Sequence, residues 1–360
     1  MINAITIKNF MAHSALHVEE VPPINLIIGK NDTGKTGLLK LLYATVKTLE
    51  IYSLKSKTTD TTFKKELPDK LFDTFMPRKN GLGLGELVQK GASDKLEVNI
   101  TLLNHTAKYK QPLYYSFGER TEKTIPNCID HVEAIPDELI NTIFIPAKEV
   151  LTAFSDIRNI RNKFYGVGFD DTYLDLIEAL DLPSTKGRVA SELSKVNKSL
   201  EELFEGKIEQ TRLSEQPFIF KKGNQQFSMQ QTAEGIKKIG ILNTLITNRQ
   251  LGKGTILFMD EPETALHPDA IRQLVEMLVA MSKAGVQIFM ATHSYFVIKQ
   301  LAICSKRDKL PTLCWNLTRE RGESVKNSFH SLIDGVLPTN SVIEEAIKMF
   351  DQEIEIDLNS

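Results

Sequence analysis

Cysteine is scarce in this 360-residue chain. Cys128, Cys304 and Cys314 are odd in number and form no C-x-x-C pair. That excludes a disulfide framework and a cysteine zinc site, and predicts three reduced thiols buried as small hydrophobes. Long apolar runs are also missing, since nothing approaches the ~18 consecutive apolar residues of a membrane span. The opening residues Met1 to Lys8 alternate apolar and polar side chains as a strand does, unlike a signal peptide. A cytoplasmic protein with no membrane contact is therefore expected. An excess of one charge is absent as well: 44 basic residues face 46 acidic ones, for a formal net charge of -2. A protein that coats nucleic acid by charge alone is excluded, and any such contact must be local.

What is present is ordinary core material, 41% hydrophobic and 25% charged, enough for one large α/β body with subdomains. Ile5 to Lys8, Ala15 to Val18 and Ile24 to Ile28 read as strands, the last a continuous apolar run suited to burial on both faces. A helix follows from Lys35 to about Thr48. Residues 53 to 66 and the glycines Gly81, Gly83 and Gly85 read as connections. No strand precedes those glycines, so they are not a dinucleotide fingerprint. Leu96 to Leu102 and Leu113 to Phe117 alternate as antiparallel strands, and Thr142 to Ile145 forms another strand. Residues from about Glu149 to Lys207 have helical spacing, and a glycine turn at Lys221 to Asn224 predicts a hairpin. Ala233 to Asn248 (helix), Thr255 to Met259 (strand), Pro268 to Lys283 (helix) and Val286 to Ala291 (strand) restore β-α-β order and imply a parallel sheet.

Between the third strand and the first helix lies Gly29-Lys30-Asn31-Asp32-Thr33-Gly34-Lys35-Thr36, which matches G-x-x-x-x-G-K-[ST] in its proper context. Gly29 and Gly34 let the backbone bend so that N–H groups converge on phosphate oxygens, helped by the positive end of the helix. Lys35 brings a charge to the β/γ-phosphates, Thr36 offers a hydroxyl to Mg²⁺, and Gly37 completes the nucleotide-binding stretch.

The strand Thr255 to Met259 ends in Asp260-Glu261, where α/β folds place ligands. Asp260 is expected to hold Mg²⁺ and Glu261 to orient the attacking water as general base. Either acid could instead cap or turn the chain, a role compatible with catalysis. After the next buried strand comes Ala291-Thr292-His293-Ser294, and His293 is expected to sense the γ-phosphate, the alternative being a structural histidine.

Together these segments resemble the ABC-ATPase superfamily, in the soluble branch containing RecF, SMC proteins and the ATPase domains of OLD-family nucleases. Ile5 to Phe10 resembles that branch's first strand and Asn-Phe pair. Glu261-Pro262-Glu263-Thr264-Ala265-Leu266-His267-Pro268 resembles the OLD-like E-P-E-x-x-L-H-P segment with its D-loop. Phe144 to Glu149 and Thr232 to Lys238 are similar to stand-alone OLD-allied AAA-type ATPases. The resemblance implies a P-loop NTPase of the ABC-ATPase head type, α/β, with a mixed central sheet, an antiparallel β subdomain and a helical insertion. It implies one domain over residues 1–360, divided into a nucleotide-binding lobe (1–148), a helical lobe with the signature motif (149–250) and a Walker B and sensor half (251–360).

ATP and Mg²⁺ are the implied cofactors, with two ATP molecules sandwiched in a homodimer or higher even-numbered assembly, and Gly235 and Thr232 reaching the partner's nucleotide in trans. Three departures stand out. Ala233 stands where the signature serine is expected, no Q-loop glutamine is evident after Ile145, where Glu149 stands as a candidate, and Met11 occupies a position where many relatives carry Arg. Residues 294–360 hold no paired D-x-D of a TOPRIM nuclease before the acidic run Asp351, Glu353, Glu355 and Asp357, which reads as a solvated end. The expected function is thus an ATPase subunit of antiphage defence or genome maintenance, coupled to a separately encoded effector such as a nuclease.

One alternative is a RecF-like repair ATPase touching nucleic acid through Lys55, Lys57, Lys64 and Lys65 or Arg158, Arg161 and Lys163, although such charges are usually solvated. A transporter subunit is the other; it lacks a good L-S-G-G-Q here.

Overall fold

The computed structural model describes residues 1–77, 81, 83–103, 110–132, 141–163, 168–183, 191–211 and 217–358. Strands β1 (Ile2–Phe10), β2 (His13–Val18) and β3 (Ile24–Gly29) lead into helices α1 (Lys35–Lys55) and α2 (Phe63–Phe75). Strands β4 (Leu96–Leu103), β5 (Lys110–Phe117), β6 (Asn127–Cys128) and β7 (Thr142–Ile145) precede helices α3 (Phe154–Lys163), α4 (Asp171–Asp181) and α5 (Ser191–Leu203). Strands β8 (Lys207–Gln210), β9 (Phe218–Lys222) and β10 (Gln225–Ser228) then lead to α6 (Glu234–Thr247). The rest of the chain runs β11 (Ile256–Asp260), α7 (Pro268–Lys283), β12 (Gln287–Thr292), α8 (Tyr295–Asp308), β13 (Thr312–Thr318), β14 (Lys326–Ser331) and α9 (Ser341–Leu358).

The near-continuous apolar runs of β3, β11 and β12 place these strands inside a six-stranded sheet of order β14-β13-β3-β12-β11-β7. Its pairings are parallel except for β14, which pairs antiparallel at one edge. Successive side chains point to opposite faces, so each run feeds two cores. Leu26, Leu257 and Ile288 enter one, with the helices of the 154–247 region; Ile27, Phe258 and Phe289 enter the other, with α1 and the first sheet. That first sheet is antiparallel, of order β2-β1-β4-β5-β6, and a smaller three-stranded sheet has order β10-β9-β8.

A buried polar knot joins α1, α2 and α4. The Lys70 ammonium donates to Asp171 at 2.9 Å and to Asp175, and the Tyr43 hydroxyl also donates to Asp175. Lys70 is 5% exposed, so its charge is tolerable only because two carboxylates surround it.

Several expectations need correction. Helix α1 continues past Thr48 to Lys55 because Leu49 and Tyr52 keep the apolar spacing and are buried. The expected connection over 53–66 shrinks accordingly, with α2 starting at Phe63 after a Thr62 cap that accepts from the Lys65 N–H. Within the expected glycine connection, Gly83–Leu87 forms a buried 3-10 turn, and a side chain at Gly83 or Gly85 would strike the backbone of Glu122 or Glu119. Leu82 lies outside the described residues. The helical region ends at Leu203, and Lys207–Gln210 is a strand on the hairpin's edge. Of the thiols, Cys304 and Cys314 are buried but Cys128 only partly. The acidic terminal run is solvated as expected over residues 351–356, but it is helical, within α9.

Candidate active site

Strand order alone brings the three motif-bearing loops together, because β12 lies between β3 and β11 and all three run parallel. Their C-terminal ends therefore deliver residues 29–36, 260–261 and 292–293 to one edge, as expected for ligand sites in α/β sheets. The Thr36 hydroxyl donates to Asp260 Oδ2 at 2.9 Å.

Within the loop, Gly34 has φ 78, a left-handed conformation that suits glycine. A side chain there would also press on His13 Nε2 at 2.8 Å. His13 is fully buried beneath the loop, and burial pushes its imidazole down to about 4, with the Gly34 backbone opposing the shift. Gly29 is equally confined: a methyl group there would come within 2.5 Å of Leu317 O. Thr33 is buried and donates its hydroxyl to Lys30 O at 2.8 Å, closing the loop on itself. Lys30, Asn31 and Asp32 are exposed. The Lys35 ammonium donates to Gly29 O at 2.9 Å and Lys30 O at 3.0 Å. Burial lowers its pKa, while Glu261 and Asp260 pull in the opposite direction. Gly37, on the first turn of α1, faces Met11: a methyl group there would meet the Met11 sulfur at 3.1 Å.

Asp260 is buried, and desolvation raises its pKa against the Thr36 hydrogen bond that lowers it. Glu261 adopts φ 46, a left-handed backbone that costs a glutamate about 1–3 kcal/mol and is often found where function demands it. Its N–H donates to Ala291 O at 2.9 Å. Its carboxylate stands 3.7 Å from His293 Nε2. Burial and then Lys35 lower the His293 pKa, with Glu261 opposing them, which favours the neutral ring at pH 7. Glu263 accepts from the Thr292 hydroxyl at 2.5 Å, tying the two loops together.

On α6, Gly235 is buried against the 265–266 turn: a methyl group there would meet Leu266 Cδ2 at 2.8 Å and Ala265 O at 3.0 Å. Thr232 is 7% exposed and donates to Ser228 O at 2.8 Å. Its proton is thus committed within the chain. The helix begins at Ala233 without a side-chain cap, and Ala233 and Glu234 are exposed. Glu149 accepts from the Leu151 N–H at 2.8 Å and the Thr152 N–H at 3.2 Å, and lies 3.5 Å from the Lys237 ammonium. It therefore connects the loop after β7 to α6.

Three site neighbours escaped the sequence reading. Arg319 donates to Asp32 Oδ2 at 2.9 Å across 287 positions, His13 underlies Gly34, and Lys238 donates to Glu261 O at 2.9 Å. The Lys-Lys pair at 237–238 was a signal for the last of these, since two lysines buried in one turn must each find a partner. The basic residues considered for nucleic acid are partly spent on surface pairs: Lys55 with Glu66 (2.7 Å), Lys64 with Asp130 (3.8 Å) and Arg158 with Asp181 (2.8 Å). The side chains of Arg161 and Lys163 lie outside the described residues.

Known proteins resemble this chain in sequence and in fold. The family model "AAA ATPase domain" matches residues 1–163, and "AAA domain, putative AbiEii toxin, Type IV TA system" matches residues 127–299. The Old nuclease of Escherichia phage P2 is 50% identical over 40 residues, a stretch covering 11% of this chain and 7% of that protein. Among solved structures, an SMC head bound to the C-winged helix domain of ScpA matches with TM-score 0.55 at 13% identity, covering 93% of this chain and 99% of that one. The SMC head with an extended coiled coil from Pyrococcus furiosus, bound to the C-terminal domain of ScpA, matches with TM-score 0.50 at 11% identity, covering 98% of each chain. The fold is that of the solved SMC heads, and two ATPase-domain family models together match residues 1–299; the chain is a P-loop ATPase that resembles those of SMC, RecF and OLD proteins.

Proposed function

Starting from a P-loop ATPase, we propose that ATP joins two copies of this chain and that the joined state regulates a separately encoded effector, of nuclease class, in antiphage defence or genome maintenance. The observation that carries the reading is the start of α6. Its uncapped N–H groups and exposed Ala233 and Glu234 lie one helical turn from Lys238, which is bonded to Glu261. Such an end attracts phosphate, and in this reading it meets the γ-phosphate held by the partner copy, with Gly235 and Thr232 shaping the approach. The short likeness to the Old nuclease supports a nuclease as effector. The division into lobes 1–148, 149–250 and 251–360 is part of the same proposal, as is a cytoplasmic setting. Among the described residues no helix is long and apolar enough to cross a membrane.

Within one copy, Lys35 and the 29–34 backbone bind the triphosphate, Glu261 orients water, and His293 contacts the γ-phosphate. A magnesium ion fits the donor set: Thr36 and Asp260 supply hard oxygens that already meet at 2.9 Å. Among the described residues no group of three or more His, Cys, Asp or Glu forms a metal cage, which suits an ion held largely by phosphate and water. Bound there, Mg²⁺ would neutralise charge on the β- and γ-oxygens.

The test is Glu261→Gln. It should keep ATP affinity, lose turnover by about 10²–10⁴-fold, and double its mass in light scattering when ATP and Mg²⁺ are added. A variant that stays monomeric at saturating ATP contradicts the proposal. Co-purification of the chain from its native host then tests for the effector.

A further inference from the structure

The backbone of Glu261 is held from two sides. Its N–H is fixed to Ala291 at the end of β12, and its carbonyl accepts from the Lys238 ammonium at 2.9 Å and from the Thr264 N–H at 3.2 Å. Lys238 is 7% exposed, and among the described residues it forms no ion pair. A buried ammonium spent on a backbone carbonyl, with Glu263, Glu261, Asp260 and Glu234 all contributing negative field, is an expensive way to stabilise a turn. A neutral donor would serve as well. The carbonyl it holds belongs to a residue in the left-handed conformation, where a small backbone rotation swings the carboxylate. Lys238 also follows Gly235 by three positions, on the next turn of the same helix. The start of α6 and the backbone of Glu261 are therefore joined through one side chain.

We propose that Lys238 is a positioning residue that couples the start of α6 to Glu261. When that helix end engages phosphate on a second copy, its displacement is passed through the Lys238 ammonium to the Glu261 carbonyl and sets the carboxylate for water activation. Hydrolysis in one copy thereby depends on contact with the other. The inference rests on the dimer reading above and deepens it.

Lys238→Met and Lys238→Arg test it in the full chain. In Lys238→Met, kcat should fall by about 10–100-fold, while KM and the affinity for a fluorescent ATP analogue stay within about threefold of the parent. Its residual turnover per molecule should no longer rise with protein concentration. Lys238→Arg, which keeps a cationic donor, should recover at least a third of kcat together with the concentration dependence. The coupling is overturned if Lys238→Met keeps kcat within twofold while Glu261→Gln is inactive. It is equally overturned if both Lys238 variants lose ATP affinity and thermal stability in parallel, the signature of a purely structural contact. Wild-type turnover in Glu261→Gln would instead remove the assignment of the base, and this coupling with it.

Discussion

Thr36 and Asp260 are 224 positions apart in the chain, yet the hydroxyl of one donates to the carboxylate of the other at 2.9 Å. This bond joins the phosphate loop to the acidic strand end. Asp260→Asn keeps the shape but removes the charge. Phosphate release with Mg²⁺ should drop by about 100-fold or more, and titration with Mg²⁺ should show a weakened metal requirement in ATP binding. Unchanged metal dependence would assign the ion to other residues.

His293 stands beside Glu261 at the end of β12, held toward its neutral form by burial and by Lys35. His293→Ala should reduce kcat by about 10²-fold, the scale of losing one well-placed donor to a reacting oxygen. Nucleotide affinity should be little altered. Steady-state kinetics separate the two, and a variant with normal kcat would make His293 structural.

Lys70 neutralises Asp171 and Asp175 inside the α1, α2 and α4 junction. Lys70→Met removes the cation shared by the buried Asp171 and the half-buried Asp175, a loss of about 3–5 kcal/mol. Urea unfolding should register it as an earlier midpoint. Phosphate-loop chemistry is not involved, so ATP affinity of the folded fraction should match the parent.

His13 supplies a pH dependence with a definite sign. Its imidazole is held at about 4, below the ordinary 6.5, so the unfolded chain takes up the proton first. The stability this represents is complete above pH 6.5 and disappears as pH falls toward 4, about 3 kcal/mol in all. Unfolding free energies measured between pH 7 and pH 4 should decline less steeply in His13→Asn than in the parent. Parallel slopes would show that His13 is not the group responsible.

The meeting of the three motif-bearing loops was legible because their residues sit in short stretches next to strong apolar runs. Ile24 to Ile28, Thr255 to Met259 and Val286 to Ala291 announce buried strands, and the residues following each must then meet at one sheet edge. What stayed hidden was held by distant partners. Nothing local to Arg319 points to Asp32, and His13 reads as one polar residue of a hairpin until the loop is seen above it. Strand β8 was missed because Ile208 is its single apolar residue between Lys207 and Glu209, too little for a period-2 pattern. The 83–87 turn was misjudged because glycines that permit close backbone packing look, in sequence, like glycines that permit freedom. The acidic run near the end obscured α9, whose Val342, Ile343, Ala346 and Ile347 carry helical spacing just upstream.

Strand β3 has a consequence for how the molecule is made. Both of its hydrogen-bonded neighbours, β12 and β13, come from residues 287–318. A nascent chain that has emerged only as far as β11 therefore carries the whole phosphate-loop motif without either flanking strand to hold it. The phosphate loop gains its flanking strands only once residues 287–318 have left the ribosome, so a chain halted at β11 carries the motif without the sheet that shapes it.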